Sequence, residues 1–378
     1  MKIAIISSRY PSHNNPYNHM FVHMRCIEMH AKGQKVTVYV PADKHKDYIY
    51  EGISVKMMPS KDLNKELQYY DILYLHLLNI YPYQKSNGWL IYKNIMENKL
   101  PFVMYVHGSE VQKYGARMFE FNYKISDFLK WIKKDALVIP KMKKFLEQTM
   151  HRKNAAFAFP SVWMKNDMEE NLNVTLNKYH IIPNGIDTEL FKYNNLYDNR
   201  YKFLTLRPLS SKKYAVDLAI EIMQYLPEIF TLDIYGKGHY ERIYKKQIQS
   251  LKLEHRVNIK NSFINRADLN TFFSNYGVFL VPTRMDAQGV SMCEAMSSGL
   301  LTVSSNNTAI PEFIENRNNG IIGNDLKEVA KSLISILENE DNYKTITTSA
   351  RASMERIDIA LTVKDELMLL NKVASSYE

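Results

Sequence analysis

Short apolar runs alternate with amphipathic stretches along most of the chain. The runs predict buried strands at residues 2–7, 35–40, 72–75, 102–106, 137–139 and 155–158, and after Asn184 at 202–206, 231–235, 257–259, 278–281 and 301–303. Helical spacing predicts helices at 18–31, 215–225, 240–250 and 267–273. Strands that alternate with helices over short connections indicate parallel, doubly wound sheets, so the expected fold class is α/β.

The two series of strands predict two Rossmann-like domains. A chain of 378 residues with 46% hydrophobic residues is long for one core and suits two. We expect an N-terminal domain over 1–183 and a C-terminal domain over 184–359. Further helices are predicted near 326–337 and 362–374. In open sheets of this kind ligands bind at the carboxyl ends of the strands, so the loops of both domains are expected to line one cleft.

The segment from Asp286 to Gly299 carries the most specific chemistry. A buried strand precedes it, and helical spacing begins at Gly289. The free amides of the helix N-terminus and the helix dipole attract a diphosphate, which Gly289 allows to approach closely. Glu294, about 7 Å further along the helix axis, could bind a ribose diol, while Asp286 could reach the sugar.

Several motifs in order give the chain a family resemblance. They are Tyr10-Pro11-Ser12, Asn15-Pro16-Tyr17, Phe21-Val22, Val106-His107-Gly108-Ser109-Glu110, Ile182-Pro183-Asn184-Gly185-Ile186-Asp187-Thr188-Glu189-Leu190-Phe191, Arg207 with Lys212-Lys213, Tyr235-Gly236-Lys237-Gly238, Asp286-x7-Glu294 and Ile310-Pro311-Glu312. Together they resemble the retaining glycosyltransferases of family 4, with Asp286 in the first acidic position of the Glu-x7-Glu signature. The resemblance runs from about residue 3 to about residue 320 and implies the GT-B fold. It also implies that the last helix, about 360–378, packs on the first domain.

The resemblance assigns roles to individual residues. His107 would line the reaction centre, Asp286 would orient a sugar hydroxyl, and Arg207 with Lys213, favoured over Lys212, would neutralise the leaving diphosphate. The donor-binding set comprises Lys212, Gly236, Phe263, Ile264, Gln288, Gly289, Val290, Ser291 and Glu294. The acceptor-binding set comprises Tyr17, Asn18, His19, Gly108 and Ser109.

Each role has a structural alternative. Asp286 could cap the following helix, Glu294 could be an ordinary helix-surface residue, and His107 could be structural. Arg207 with the two lysines could be a surface cluster, and the Gly236 turn could be a simple loop.

The implied reaction is transfer of a sugar from a nucleoside diphosphate, with UDP-sugars favoured, to a hydroxyl with retained anomeric configuration. The acceptor would be a saccharide or a lipid-linked precursor of a surface polysaccharide. No cofactor and no metal are expected, because Arg, Lys and helix amides can stabilise the diphosphate and no Asp-x-Asp motif is present. The alternatives are a non-catalytic subunit that binds sugar nucleotides and a nucleotide-sugar epimerase of the same fold.

The net charge of +9 is concentrated in residues 128–153, where lysines alternate with aromatic and aliphatic residues. Such a stretch predicts either an anionic membrane surface as partner or a solvated helix face whose apolar side is core. Nucleic acid is not expected, because no recognised binding module accompanies the lysines.

Cys26 and Cys293 lie in helical patterns and are expected to be buried thiols. No signal peptide or membrane span is recognised, so a cytoplasmic location is expected, with a peripheral position on the inner face of the plasma membrane as a further hypothesis.

Overall fold

The computed structural model describes residues 1–376 and divides into two compact units. The first comprises Met1–Gly185 together with Ile359–Glu378, and the second comprises Ile186–Asp358. The boundary expected at 183/184 lies close to the one found after Gly185. Two residues of the expected last helix, 377 and 378, lie outside the described residues.

The first unit is built on a sheet of eight strands. Its strands and helices are β1 Lys2–Ser7, α1 Met20–Ala31, β2 Lys35–Pro41, β3 Lys46–Tyr50, β4 Ile53–Met58, α2 Ser60–Glu66, β5 Ile72–His76, α3 Trp89–Glu97, β6 Phe102–Tyr105, α4 Ile125–Ile132, α5 Ile139–Thr149, β7 Ala155–Phe159, α6 Val162–Leu172 and β8 His180–Ile181. The strand order is β3-β4-β2-β1-β5-β6-β7-β8. Only β3 pairs antiparallel, with β4, so the carboxyl ends of the other strands share one edge.

The second unit is built on a parallel sheet of six strands. Its strands and helices are β9 Lys202–Leu206, α7 Val216–Glu221, β10 Thr231–Tyr235, α8 Glu241–Ser250, β11 Val257–Lys260, α9 Leu269–Phe273, β12 Val278–Leu280, α10 Val290–Ser298, β13 Leu301–Ser304, β14 Ile321–Ile322, α11 Leu326–Leu337 and α12 Glu340–Glu355. The strand order is β11-β10-β9-β12-β13-β14. Aliphatic and aromatic side chains from one face of this sheet pack with those of α7, α8, α11 and α12 in a common core. The α/β class and the parallel sheets expected from the sequence are confirmed.

One predicted strand is wrong. Residues 137–139 are helical: a π-helical turn, Lys133–Val138, leads directly into α5. Ile139, Met142, Phe145 and Leu146 are buried at helical spacing, so the apolar run is the inner face of a helix. The strands β3, β4, β8 and β14 and the helices α2, α3, α6 and α12 were not predicted.

The last helix, α13 Ile359–Ala374, packs on α1 within the first unit. Arg25 of α1 donates from Nε to Glu366 Oε1 of α13 at 2.7 Å and from Nη2 to Asn184 Oδ1 at 2.9 Å. All three side chains are buried. Gly185 follows directly, and a Cβ there would lie 2.3 Å from Thr362 Oγ1 and 2.6 Å from Ile359 Cα. A buried ion pair and a glycine therefore fix α13 against the chain at Gly185.

Replacing Glu366 by alanine should lower the free energy of unfolding by about 3–5 kcal/mol, because Arg25 is left charged and buried. The double variant Arg25→Met with Glu366→Leu should recover most of this loss, since apolar side chains of similar volume need no ion partner. Urea unfolding followed by circular dichroism measures both. Glu97→Ala, which breaks an exposed pair with Lys93, is the control and should cost about 0–1 kcal/mol. An effect of Glu366→Ala no larger than this control would contradict the role of the pair.

Candidate functional site

The loop after β12 and the start of α10 form the centre of the candidate donor site in the second unit. Gly289 has a φ of 80° and caps α10, which begins at Val290 as predicted. Asp286 Oδ1 accepts hydrogen bonds from the backbone N–H of Gly289 at 2.9 Å and of Gln288 at 3.4 Å. Asp286 therefore orders the turn that enters the helix, which is the structural alternative given above, and its Oδ2 faces Arg207 at 3.7 Å.

Arg207 lies beside the N-terminus of α10, directly after β9. It is buried, and its Nη1 donates to Ser291 Oγ at 3.1 Å. Its Nε and Nη2 are buried and make no hydrogen bond within residues 1–376. Asp286 Oδ2, 3.7 Å from Nη2, balances part of the charge of Arg207 but lies too far away to accept a hydrogen bond, so these donors remain available to a further anion. The two features together, donors of Arg207 and the amide end of α10, make an anion site.

The ring of Tyr214 lies close to the charged groups of both Arg207 and Lys213. The Cζ of Arg207 lies 5.2 Å from the centre of the Tyr214 ring, and the Nζ of Lys213 lies 4.6 Å from it. Lys212 instead places its Nζ 5.6 Å from the Tyr240 ring. Of the two lysines, Lys213 is therefore the one that shares a ring with Arg207.

The segment that carries these lysines is held by backbone contacts that the sequence did not reveal. Arg284 Nη1 donates to the carbonyl of Lys212 at 2.9 Å, and the backbone N–H of Arg284 donates to the carbonyl of Lys213 at 2.7 Å. Thr283 Oγ1 donates to the same Lys213 carbonyl at 3.0 Å. Arg284 also forms a bidentate pair with Asp217 of α7. These bonds fix the lysines relative to the strand end that leads to Asp286.

Glu294 is buried inside α10, so the helix-surface alternative is wrong. Its Oε1 accepts from Arg266 Nη1 at 2.5 Å, and its Oε2 makes no hydrogen bond in the described part of the chain. Burial raises the pKa of Glu294, and Arg266 opposes that rise. Arg266, which the sequence analysis missed, links Glu294 to the segment that contains Phe263 and Ile264. No motif marks it, because only folding brings these positions together.

Phe263 is exposed and Ile264 half-buried, in the segment between β11 and α9. The Nζ of Lys237 lies 5.2 Å from the Phe263 ring. Gln288 is buried and Val290 half-buried at the start of α10. The donor residues predicted from the sequence therefore lie at strand ends and at one helix end of the same unit.

The Gly236 turn is required by close packing. A Cβ on Gly236 would lie 1.9 Å from the carbonyl oxygen of Arg207, and one on Gly238 would lie 2.0 Å from the carbonyl carbon of Leu209. The backbone N–H of Arg207 donates to the carbonyl of Tyr235 at 3.0 Å, and that of Leu209 donates to the carbonyl of Lys237 at 3.0 Å. The glycines thus let the turn lie against the segment that positions Arg207.

Gly236→Ala should lower the free energy of unfolding by about 1–3 kcal/mol, because the new methyl group must displace the Arg207 backbone. Urea unfolding checks this. Gly115→Ala is the matched control, since the nearest atom to its Cβ would be a side-chain oxygen at 3.8 Å. Equal stability of the two variants would show that the turn tolerates a side chain.

In the first unit, His107 follows β6 and lies against other rings. Its Nε2 is 3.0 Å from Nδ1 of His76, and its ring centre is 4.9 Å from that of Phe21. Its backbone N–H donates to Glu110 Oε1 at 2.7 Å. Burial, and next the neighbouring His76, lower the pKa of His107, so the imidazole is neutral at pH 7.

Among the predicted acceptor residues, His19 is connected to this histidine through ring contacts, and Gly108 and Ser109 follow it in the chain. His19 caps α1 with a φ of 50°, and its Nδ1 is 3.1 Å from Ser7 Oγ. Burial lowers the pKa of His19 to about 4. Tyr17 and Ser109 are exposed, Asn18 is half-buried and Gly108 is buried. The rings of His19, Phe21 and His107 form a continuous series.

Two family descriptions match the two halves of the chain. Residues 20–190 match Glycosyltransferase Family 4, and residues 187–353 match Glycosyl transferases group 1. Among solved structures, Anabaena HepE in complex with UDP has a TM-score of 0.75 at 15% identity, covering 98% of this chain and 100% of that one. Sucrose-phosphate synthase from Thermosynechococcus elongatus has a TM-score of 0.74 at 14% identity, with both chains covered completely.

Curated proteins with similar sequences are also named as glycosyltransferases. The amylovoran biosynthesis glycosyltransferase AmsK of Erwinia amylovora is 28% identical over 191 residues, 47% of this chain and 46% of that protein. The chain thus spans about half the length of AmsK, and likewise 48% of the alpha-monoglucosyldiacylglycerol synthase of Acholeplasma laidlawii. The glycosyltransferase YqgM of Bacillus subtilis is 23% identical over 94% of this chain and 93% of its own. The chain belongs to the glycosyltransferases of the GT-B fold.

Proposed function

We propose that this glycosyltransferase moves a sugar from a nucleoside diphosphate sugar, with UDP-sugars favoured, to a hydroxyl group with retention of the anomeric configuration. The observation that carries the proposal is buried Arg207, whose unused donors lie beside the N-terminus of α10. A diphosphate supplies the oxygen acceptors that these donors need. HepE, which shares the fold, has been crystallised with UDP and with UDP-glucose, and this supports the choice of nucleotide.

In the proposed reaction the diphosphate gains charge as the glycosidic bond breaks. Arg207, Lys213 and the amides at the start of α10 would stabilise that charge more strongly in the transition state than in the bound donor. The same groups would serve in place of a metal ion. Glu294 would bind the ribose through Oε2, because Arg266 occupies Oε1. Asp286, which orders the turn through Oδ1, would reach a sugar hydroxyl through Oδ2.

The proposed acceptor is a saccharide or a lipid-linked glycan precursor. AmsK and the putative glycosyltransferase WcaL of Escherichia coli are named for amylovoran and colanic acid biosynthesis, which supports a polysaccharide product. In this proposal His107 would contact the sugar or the acceptor from the first unit. The alternatives are a non-catalytic subunit that binds sugar nucleotides and a nucleotide-sugar epimerase, and each predicts a different outcome for the donor.

Arg207→Ala should weaken UDP-sugar binding by about 10- to 100-fold, because one charge-assisted contact to phosphate is worth about 1.5–3 kcal/mol. Glu294→Ala should weaken it similarly. Ligand-observed NMR with UDP-, GDP- and TDP-sugars measures the binding. Arg242→Ala and Glu338→Ala, which change exposed residues of the second unit, are the matched controls and should bind as the unchanged protein does.

Binding that is equal in Arg207→Ala and Arg242→Ala would contradict the assigned site. Incubation with saccharide acceptors then separates the functions. Release of nucleoside diphosphate, slowed about 100-fold or more in Lys213→Ala, is expected of the transferase. Binding without turnover would favour the non-catalytic subunit, and an epimerised sugar nucleotide would favour the epimerase.

We also propose that the protein acts at an anionic membrane surface on the cytoplasmic side. Much of the basic stretch 128–153 is not an apolar surface, because α5 buries its apolar side chains in the first unit. Exposed apolar side chains instead cluster on α4 and just before it, in the α4 face, defined as Tyr123, Ile125, Phe128, Leu129 and Ile132, which begins before residue 128. No helix within residues 1–376 has the length and apolarity needed to cross a membrane.

The α4 face has the pattern of an interfacial helix. Four of its residues follow the spacing i, i+3, i+4 and i+7, yet Ile125 is 82% exposed and Tyr123, just before the helix, is 90% exposed. An apolar helix face with this spacing normally packs against the protein core or against a partner. Exposed Lys124, Lys130 and Lys133 flank it. Apolar side chains next to lysines match acyl chains below anionic headgroups, which is why we choose lipid as the partner.

The double variant Ile125→Asp with Leu129→Asp should reduce binding to phosphatidylglycerol-containing vesicles by about 10-fold or more at low salt, through lost apolar burial and added negative charge. Vesicle co-sedimentation measures it. Ile49→Asp, at an exposed isoleucine of the first unit, is the control and should bind normally. Absence of binding by the unchanged protein would refute the membrane partner, and a concentration-dependent dimer lost in the double variant would assign the α4 face to a second copy.

A further inference from the structure

His76 is a second buried histidine beside the one that the sequence singled out. It ends β5 and lies opposite Ser7 of β1 and Tyr105 of β6 in the sheet register. It is completely buried, whereas His107, two residues after the end of β6, is half-buried. No motif drew attention to His76, because a histidine at the end of an apolar strand resembles any other core residue.

His76 and His107 share one hydrogen bond, and the other ring nitrogen of each has no partner in the described part of the chain. Nδ1 of His76 and Nε2 of His107 are 3.0 Å apart. The remaining nitrogen of His76, Nε2, is buried and has no hydrogen-bond partner within residues 1–376. Nδ1 of His107 likewise makes no hydrogen bond in that part of the chain, and it belongs to the half-buried ring at the strand ends.

Both imidazoles are neutral at pH 7. Burial lowers the pKa of His76 and of His107 well below the usual value, and for His76 the Arg25 guanidinium is the next cause. A neutral imidazole has one N–H donor and one bare acceptor nitrogen. One of the two histidines must therefore donate to the other, and the choice decides where both protons lie.

The unpaired Nε2 of His76 makes the two choices unequal. If His107 donates from Nε2, His76 must carry its own proton on Nε2, which leaves a buried N–H without an acceptor. If His76 donates from Nδ1, its Nε2 is a bare nitrogen, which is the less costly group to leave unpaired, since orphaned buried donors are rarer than orphaned acceptors. His107 then accepts at Nε2 and carries its proton on Nδ1.

We propose that His76 is a positioning residue that holds His107 in the Nδ1–H tautomer, so that His107 presents a hydrogen-bond donor to a hydroxyl or ring oxygen of the substrate. The bond between Glu110 and the His107 backbone and the packing of Phe21 and Tyr105 against its ring fix the direction of that donor. The substrate part of this inference rests on the proposed function. The tautomer itself does not.

Long-range proton–nitrogen NMR on the full chain with ¹⁵N-labelled histidine tests the tautomer directly. The His107 signals, assigned with His107→Gln, should show a protonated Nδ1 and a bare Nε2. His76→Asp should place a proton on Nε2 of His107, because an ionised carboxylate accepts a hydrogen bond but cannot donate one. His76→Asn should preserve the Nδ1–H tautomer of His107, since the side-chain amide N–H of Asn can donate to His107 Nε2 in place of His76 Nδ1–H. His151→Phe, at an exposed histidine, is the control and should leave the His107 signals unchanged.

A protonated Nε2 on His107 in the unchanged protein would overturn the proposal. So would a bare Nε2 on His107 in folded His76→Asp. If His76→Asp does not fold, the signals of the unchanged protein and of His76→Asn still decide the question. Turnover provides the second readout: His76→Asp should lower kcat about 10-fold or more with donor binding within about twofold, and His76→Asn should retain most of the activity.

The two readouts fail independently. If the unchanged protein shows the Nδ1–H tautomer but transfers no sugar, the proposed function fails and the role of His76 as a positioning residue for His107 stands. If sugar is transferred and the Nε2–H tautomer is found, the role of His76 fails and the transferase stands.

Discussion

The buried pair of Arg25 and Glu366 is the interaction on which the organisation of the chain depends. It joins α1 near the beginning of the sequence to α13 at its end, and Arg25 also reaches Asn184, beside the boundary between the units. Two buried ions are stable only while they remain paired and hydrogen-bonded to each other. The chain therefore returns to the first unit after building the second, and Gly185 permits the close approach because it has no side chain.

In each unit the candidate residues lie where parallel strands end at one edge of that unit's own sheet. In the second unit that edge holds Arg207, Lys213 and the start of α10, and backbone contacts set their positions: the glycine turn against Arg207 and the Arg284 bonds to the lysine segment. In the first unit the corresponding edge holds His76 and His107. Each unit thus presents preorganised polar groups whose supporting contacts lie outside the recognised motifs.

The candidate residues combine two features: a position at a strand end and a buried nitrogen without a hydrogen-bond partner. Arg207 Nε and His76 Nε2 are such nitrogens in the described part of the chain, whereas Glu366 Oε2 is equally unpartnered but lies between two helices. Asp286 also lies after a strand, yet one of its oxygens orders a turn. The lysines of residues 128–153 likewise fall into a structural group and a surface group. Lys134 bonds to the carbonyl of Ser109, while others flank the exposed α4 face.

The sequence by itself determined the fold class, the division into two units and the strand-end placement of His107, Arg207 and Asp286, because apolar periodicity and glycine positions are local properties of the chain. It mispredicted 137–139, where three apolar residues fit a strand or the inner face of a helix equally well. Only the tertiary structure decided which residues support the candidates. Arg266 meets Glu294 and His76 meets His107 across 28 and 31 positions, respectively. The α4 face and the core face of α5 have similar patterns in the sequence, and packing alone made one exposed and the other buried.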